Sequence, residues 1–340
     1  MSHSTPLRHA DRVLSAAQLR AHGVSHAQAT ARCRPGGPWQ SLLPGVYLLH
    51  SGPVTEQERL RGVLLYAGRP VVPAQGRGAG ADPEDGATLR GPYGDAMITG
   101  LAALALHGFT GVEPAHRRER IDVLVPGTRR LRSVGCARIV RAHALPRART
   151  IDGLPVAPVA RALADAVAET TDPDTVRRLL TEAVRDGHCE PATVVSALNR
   201  ARLLDRPSVV DAVDALLAEG RSLAEERLYA LVYGQGLPDP VWNVDLRLPG
   251  GAYLGGVDAY WPDQALAVEL DTRAPRHDEE TVWAEGTRRR ERLERLGITV
   301  VHITPRKLRE APEQQATVVR AALAAGRDRD PAPAVVVLPR

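Results

Sequence analysis

The sequence predicts an α+β multidomain protein, with a small helical unit closed by a hairpin at its start, an α-rich middle region, and an α/β domain with a mixed sheet at its end. Three observations predict it. Two capped helices precede two short apolar runs near the N-terminus. Between 151 and 220 apolar residues recur at helical spacing. From 253 onward two apolar runs that carry acids are followed by an arginine-dense helix and a third apolar run.

At 340 residues the chain has room for two or three domains, and 44% hydrophobic residues suffice for ordinary buried cores. No apolar run approaches the roughly 18 residues of a membrane span, and the opening MSHSTPLRHA lacks the apolar core of a signal peptide. The expected location is therefore the cytoplasm, with no membrane partner. Cys33, Cys136 and Cys189 are odd in number and far apart, which argues against a disulfide framework and against a Cys-based zinc site. The formal charge of +4 and pI near 9.2 are mildly basic, and Lys307 is the only lysine. A solvated, mixed-charge surface accounts for such a balance unless the arginines cluster, and they do so at 288–295.

Residues 8–50 form the first unit. Ser15-Ala-Ala-Gln18 has the capping-box pattern and opens a helix that Gly23 ends; Ser25-His-Ala-Gln28 repeats the pattern and opens a second helix to Cys33. Runs at 39–42 and 46–49 then flank Leu43-Pro44-Gly45, as two strands around a turn would. This is the order of a winged helix-turn-helix, whose second helix enters the major groove. His26, Gln28, Thr30, Arg32 and Arg34 would then face duplex DNA, all able to donate to bases or phosphates. A helical hairpin used only for packing fits the same composition.

The middle region is taken as 51–220. Within it, 69–92 is rich in Gly, Pro and small residues without an apolar period, and reads as a disordered insertion. From 151 to 220 the pattern is helical throughout, with helices expected at 158–169, 174–186, 191–202 and 207–219 and with Gly187 and Gly220 at stops. His107, His143 and His188 have no ligand-spaced partner nearby, so core or surface roles are expected for them.

The last domain is taken as 221–326, and its chemistry centres on the first two apolar runs. Read as strands at 253–260 and 264–269 joined by Trp261-Pro262-Asp263, they make a hairpin. If Tyr260 pairs with Ala265, the period of two puts Glu269 and Asp271 on the face of Asp258. A turn one residue longer would reverse that parity. Three carboxylates on one surface repel unless a proton or a cation lies among them, and Mg2+ prefers such hard oxygen ligands, keeping several waters beside a phosphate. Glu225, three residues after Ser222, is explained by a capping box as readily as by a metal role. Asp271 could instead begin a loop or pair with Arg273. On the helix expected at 278–296, Arg288, Arg292 and Arg295 share one face that could track a phosphate backbone; a solvated face paired with Glu291 and Glu294 is the plainer account.

Asp258, followed after ten residues by Glu269-x-Asp271, with the basic helix leading into Gly297-Ile-Thr-Val-Val-His-Ile-Thr-Pro305, resembles the restriction-endonuclease-like nucleases of the PD-(D/E)xK superfamily, in the actinobacterial branch related to very-short-patch-repair endonucleases. The resemblance covers roughly 221–325. It implies an endonuclease-like fold with a mixed sheet, and Mg2+ (or Mn2+) held by Asp258, Glu269 and Asp271, with Glu225 as one further acid of the site. The superfamily has a lysine where this chain has Asp271, and Arg273, His277 and Arg288 are the cations that could replace it. Many members of the branch have a glycine after the acid pair, where this chain has Thr272. Upstream, the run from Leu14 to Tyr47 with Gly45-Val46-Tyr47, the segment Ala102-Ala-Leu-Ala-Leu-His-Gly108 and the strand Ile121-Asp-Val-Leu-Val125 are similar to AbiEi-type antitoxins, which are DNA-binding autorepressors. That similarity covers roughly 8–200 and implies a nucleotidyltransferase-like toxin as partner.

The expected function is a double-stranded-DNA-binding protein with a magnesium-dependent or degenerate endonuclease domain. The alternative is a non-enzymatic, antitoxin-like transcriptional regulator that uses the nuclease fold as a binding surface. No Walker-type glycine loop is present, which argues against phosphotransfer.

Overall fold

The computed structural model describes residues 12–68, 91–114, 117–272, 279–327 and 335–340, the side chains of 279–286 excepted. Among the described residues the chain is mixed α/β, with eleven α-helices and three sheets, and no helix is long and apolar enough to cross a membrane. It divides into two compact units, Met1–Thr171 and Asp172–Arg340.

The first unit opens with β1 (Val13–Ser15), α1 (Ala16–Ala21), α2 (His26–Arg32), β2 (Gln40–Leu43) and β3 (Val46–Leu48). Both capping boxes are present. The Gln18 N–H donates to Ser15 Oγ at 3.3 Å while Gln18 Oε1 accepts from the Ser15 N–H at 2.8 Å, and Ser25 and Gln28 do the same at 3.2 and 2.8 Å. The three strands lie in the order β1-β3-β2, and Leu19, Ala29 and Tyr47 form the core beneath the helices. Strand β1 was not expected, because three residues that lead directly into a capped helix are too few to show a period of two.

After α3 (Glu56–Ala67), a five-stranded sheet in the order β6-β5-β4-β8-β7 is built from β4 (Met97–Thr99), β5 (Ile121–Pro126), β6 (Ala137–Ala142), β7 (Arg149–Ile151) and β8 (Leu154–Val156), with α4 (Gly100–Leu106) and α5 (Val159–Glu169). This corrects the expectation that the chain is helical throughout from 151, while helices still outweigh strands in the middle region. Arg149–Ile151 and Leu154–Val156 are a tight antiparallel hairpin turning at Asp152 and Gly153, both with positive φ, and strands of three residues carry no readable periodicity. The insertion expected at 69–92 lies, but for its last two residues, outside the described residues.

The second unit starts with α6 (Pro173–Arg185), α7 (Pro191–Arg200) and α8 (Pro207–Gly234). Helix α8 runs unbroken for 28 residues through Gly220, so the expected stop at 220 and the capping box at Ser222 are corrected together. Gly220 serves packing instead: a Cβ at this position would stand 2.5 Å from Pro191 Cγ, so glycine lets α8 lie against the start of α7.

A five-stranded sheet follows, in the order β12-β11-β10-β9-β13, from β9 (Val241–Arg247), β10 (Tyr253–Trp261), β11 (Leu266–Leu270), β12 (Thr299–Ile303) and β13 (Val336–Pro339). The β9, β10, β11 and β13 pairings are antiparallel, and β11 and β12 are parallel, connected across α9 (Glu279–Arg295). On one face Ala259, Trp261, Leu266 and Val268 pack with Ala224, Leu228 and Leu231 of α8 and with Val319 and Leu323 of α11 (Pro312–Arg327). On the other, Val257, Tyr260 and Ala267 pack with Leu293 of α9. Strands β10 and β11, covered on both faces, are buried from end to end apart from Tyr253. α10 (Pro305–Glu310) links β12 to α11. Near the end of the chain, Val336–Pro339 pairs with β9.

The Gly220→Ala substitution is expected to destabilise the protein by about 1–3 kcal/mol, the usual cost of overpacking, although alanine is the better helix former. A lower midpoint of urea unfolding checks it; a raised midpoint would show that α8 does not rest on Pro191.

Candidate functional site

Strands β10 and β11 carry two acids in an otherwise apolar interior. Asp258 is 6% and Glu269 8% exposed, both in the middle of the sheet. The turn between the strands is longer than expected: Pro262–Gln264 form a 3-10 turn, and Ala265 takes a left-handed conformation with φ 45°. Tyr260 consequently pairs with Ala267 rather than with Ala265. The displacement is two residues, which preserves the parity of the faces. Carried one pair beyond Ala259↔Val268, the observed register brings Asp258 opposite Glu269 instead of Ala267.

Each carboxylate is bonded from a different layer. Asp258 Oδ1 accepts from Arg221 of α8 at 2.8 Å, and its Oδ2 accepts from the Leu270 N–H at 2.6 Å. Asp258 thereby takes the part of a backbone carbonyl where the β10–β11 ladder ends. Glu269 pairs with Arg289 of α9, and His302 Nδ1 of the neighbouring strand β12 lies 3.5 Å from its other oxygen. Arg221 and Arg289 thus neutralise these acids. Burial of a lone carboxylate is costly, and a charge-assisted hydrogen bond offsets much of that cost.

These groups line one cleft of about 140 Å³ with Asp271, Thr272, Gly256 and Arg340. Asp271 is exposed at its rim, with its backbone N–H donating to Ile303 at 3.0 Å. Glu225 is half-buried and accepts from Arg221 at 2.8 Å, so it meets the cleft through that guanidinium. One helical turn further on, the Tyr229 phenol is held above its usual range by burial, reinforced by the charge of Glu225 and, less strongly, by Tyr233 and Asp258.

Among the cations expected to replace the lysine, Arg273 and His277 lie outside the described residues. Arg288 is exposed, and the guanidinium that meets Glu269 belongs to the next residue, Arg289. Arg292 and Arg295 are exposed with Arg288, while Arg289 precedes the buried Leu293 by four residues and so shares its inward face. The spacing is visible in the sequence, but that it points Arg289 to the sheet is decided by the docking of Leu293. Arg221 would have been legible as the i,i+4 partner of Glu225 in a continuous helix. His302 stands beside Glu269 by strand pairing. Arg340 has no local signal, because it arrives through the pairing of β13 with β9.

At the other candidate surface, His26, Gln28, Thr30, Arg32 and Arg34 are all exposed on α2 and just beyond it. Several are engaged: Gln28 in its capping box, Thr30 Oγ1 donating to the His26 carbonyl at 2.9 Å, His26 Nδ1 at 3.2 Å from the Tyr47 hydroxyl, and Arg32 stacked over Trp39 at 4.5 Å.

Three carboxylates on one cleft suit a hard divalent cation, and Asp258 and Glu269 are held there by the cationic groups around them. Among the described residues no group of three His, Cys, Asp or Glu side chains is already gathered as a metal site. Cation binding by Asp258 and Glu269 therefore requires their guanidinium partners to give way.

Arg221→Ala is expected to lower stability by about 1–2 kcal/mol, less than for a fully buried pair because the arginine side chain is 40% exposed. In the Asp258→Asn background the same change should cost much less, and a double-mutant cycle in urea with no coupling would show that the pair is not what stabilises Asp258.

No protein-family model matches this chain, and no curated protein is similar to it.

Proposed function

We propose that the chain is a double-stranded-DNA-binding protein whose C-terminal unit is a restriction-endonuclease-like domain that hydrolyses DNA phosphodiesters with Mg2+ (or Mn2+), weakly or on a special substrate. The observation that carries this reading is the meeting of Asp258, Glu269 and Asp271 with three arginines in one cleft at the end of paired strands. Support also comes from the order α8-β9-β10-β11-α9-β12, with three antiparallel strands and a fourth parallel one crossing over through α9. At the other end, two capped helices followed by the β2–β3 hairpin form the frame of a winged helix-turn-helix, with α2 as its reading helix.

In this reading Asp258 and Glu269 hold the cation, with Asp271 at the rim as a third oxygen donor. The metal, when bound, lowers the pKa of a water and offsets charge on the scissile phosphate. Asp271 supplies no positive charge, and Arg289, placed against Glu269, is the side chain best situated to provide it. Exposed Arg288, Arg292 and Arg295 of α9 would follow the phosphate backbone.

One observation favours the second reading, a non-enzymatic antitoxin-like regulator with a nucleotidyltransferase-like toxin as partner. Both Asp258 oxygens already accept hydrogen bonds, and Glu269 is held by Arg289 with His302 nearby, as in a site retained for structure.

Glu269→Gln is expected to abolish any cleavage that requires Mg2+, by more than about 100-fold, in an assay on supercoiled plasmid; cleavage that survives the change would exclude this site. Arg34→Ala should weaken duplex binding by the full chain. If the N-terminal unit neutralises about four phosphates, log affinity should fall with log salt at a slope near about −3.6, and a salt-independent affinity would reject the winged-helix reading. Arg34 is the cleaner variant, since Arg32→Ala also removes the stack on Trp39.

A further inference from the structure

The cleft that holds Asp258 is balanced in charge. Arg221, Arg289 and Arg340 stand against Asp258, Glu269 and Asp271, three cations against three anions. Two consecutive glycines of β10 make this arrangement possible. At Gly255, with φ 143°, a Cβ would meet Arg289 Cδ at 2.8 Å, and at Gly256 a Cβ would collide with the Arg340 guanidinium. Both arginines thus lie against bare backbone, three and two residues before the buried Asp258. Arg289 and Arg340 are both partly exposed, and Arg340 Nε is 3.5 Å from Asp245 Oδ1, a long contact for an ion pair.

We infer that Arg289 and Arg340 form a phosphate-binding pair, and that a phosphodiester entering the cleft draws Arg289 from Glu269, so that the site takes its cation and its phosphate together. The inference rests on the metal-site reading above and goes beyond it by assigning the anion subsite and coupling the two ligands. The physical reason is the charge balance. A divalent cation alone adds two positive charges to a cleft whose guanidiniums already pair with its acids, and a phosphate alone draws Arg289 from buried Glu269, leaving that carboxylate uncompensated. When both enter, each removes the other's penalty: Arg289 moves from Glu269 to the phosphate beside Arg340, and the freed carboxylate oxygens take the cation. Arginine suits the exchange because its planar fork matches carboxylate and phosphate alike. Coupling of this kind is reciprocal, so the phosphate must gain as much affinity from the cation as the cation gains from the phosphate.

The test uses the full chain, Mn2+ as the metal, and a thymidine dinucleotide with one phosphodiester as the anion, with free Mn2+ read by electron paramagnetic resonance. The expected result is that the dinucleotide raises Mn2+ affinity about tenfold in the wild type. Asp258→Asn should remove the Mn2+ site in both conditions. Arg289→Gln should bind Mn2+ more tightly than wild type without the dinucleotide and should lose the enhancement. Arg340→Gln, at a partly exposed position just past β13, should reduce the enhancement. Mn2+ binding that Asp258→Asn abolishes but that the dinucleotide leaves unaltered would overturn the coupling and leave the metal site standing. An enhancement retained in both arginine variants would overturn their assignment as the phosphate pair. No Mn2+ binding by wild type or Arg289→Gln, with or without the dinucleotide, would overturn the metal reading and this inference with it.

Discussion

The C-terminal unit is arranged around the cost of keeping two carboxylates in the middle of a sheet. Asp258 and Glu269 occupy β10 and β11, the two strands covered by helices on both faces. A buried carboxylate must be hydrogen-bonded to charged or strong donors or give up its charge. Arg221 answers from the α8 layer and Arg289 from the α9 layer, so the acids are gripped from both sides of the sheet. Apolar side chains of similar volume would satisfy the same positions without any of these partners. The retention of acids there is the reason to look for function at this place.

That constraint extends into the scaffold. Arg221 reaches Asp258 because α8 is one continuous helix, and it continues past residue 220 because glycine there lets it lie on Pro191. Arg289 reaches Glu269 because Leu293, one turn later on the same face, anchors α9 on Val257, Tyr260 and Ala267. Gly255 and Gly256 leave room for the arginine side chains in the positions they take, where a Cβ would make them shift. The long turn at 262–265 sets the register that pairs Tyr260 with Ala267 and keeps the two acids on one face.

Much of the first unit was legible because its signals are local. A serine three residues before a glutamine marks a helix start whatever the rest of the chain does, and both capping boxes formed as read. The acids of the second unit were legible for a different reason, since charged residues inside apolar strands stand out against their neighbours. The face shared by Asp258 and Glu269 was read through the wrong pairing, Tyr260 with Ala265, and was preserved because the true register differs by an even number of residues. The hairpin of β7 and β8 was missed because three-residue strands show no period, and Gly220 was misread because a glycine that ends a helix and one that lets two helices touch look alike in sequence.

The sequence by itself determined the capped helix pair, the apolar strands, the arginine-dense helix and the position of the acids, all properties of residues within one turn or one strand of each other. The tertiary structure alone decided which cations meet those acids. Arg288 and Arg289 are neighbours in an arginine run, and only the docking of Leu293 against the sheet turns the second one inward. Arg340 comes to the cleft through the pairing of β13 with β9, and His302 through the parallel pairing of β12 with β11. An arginine's partner is chosen by where its helix or strand packs, and packing depends on contacts between residues far apart along the chain, which no local pattern encodes.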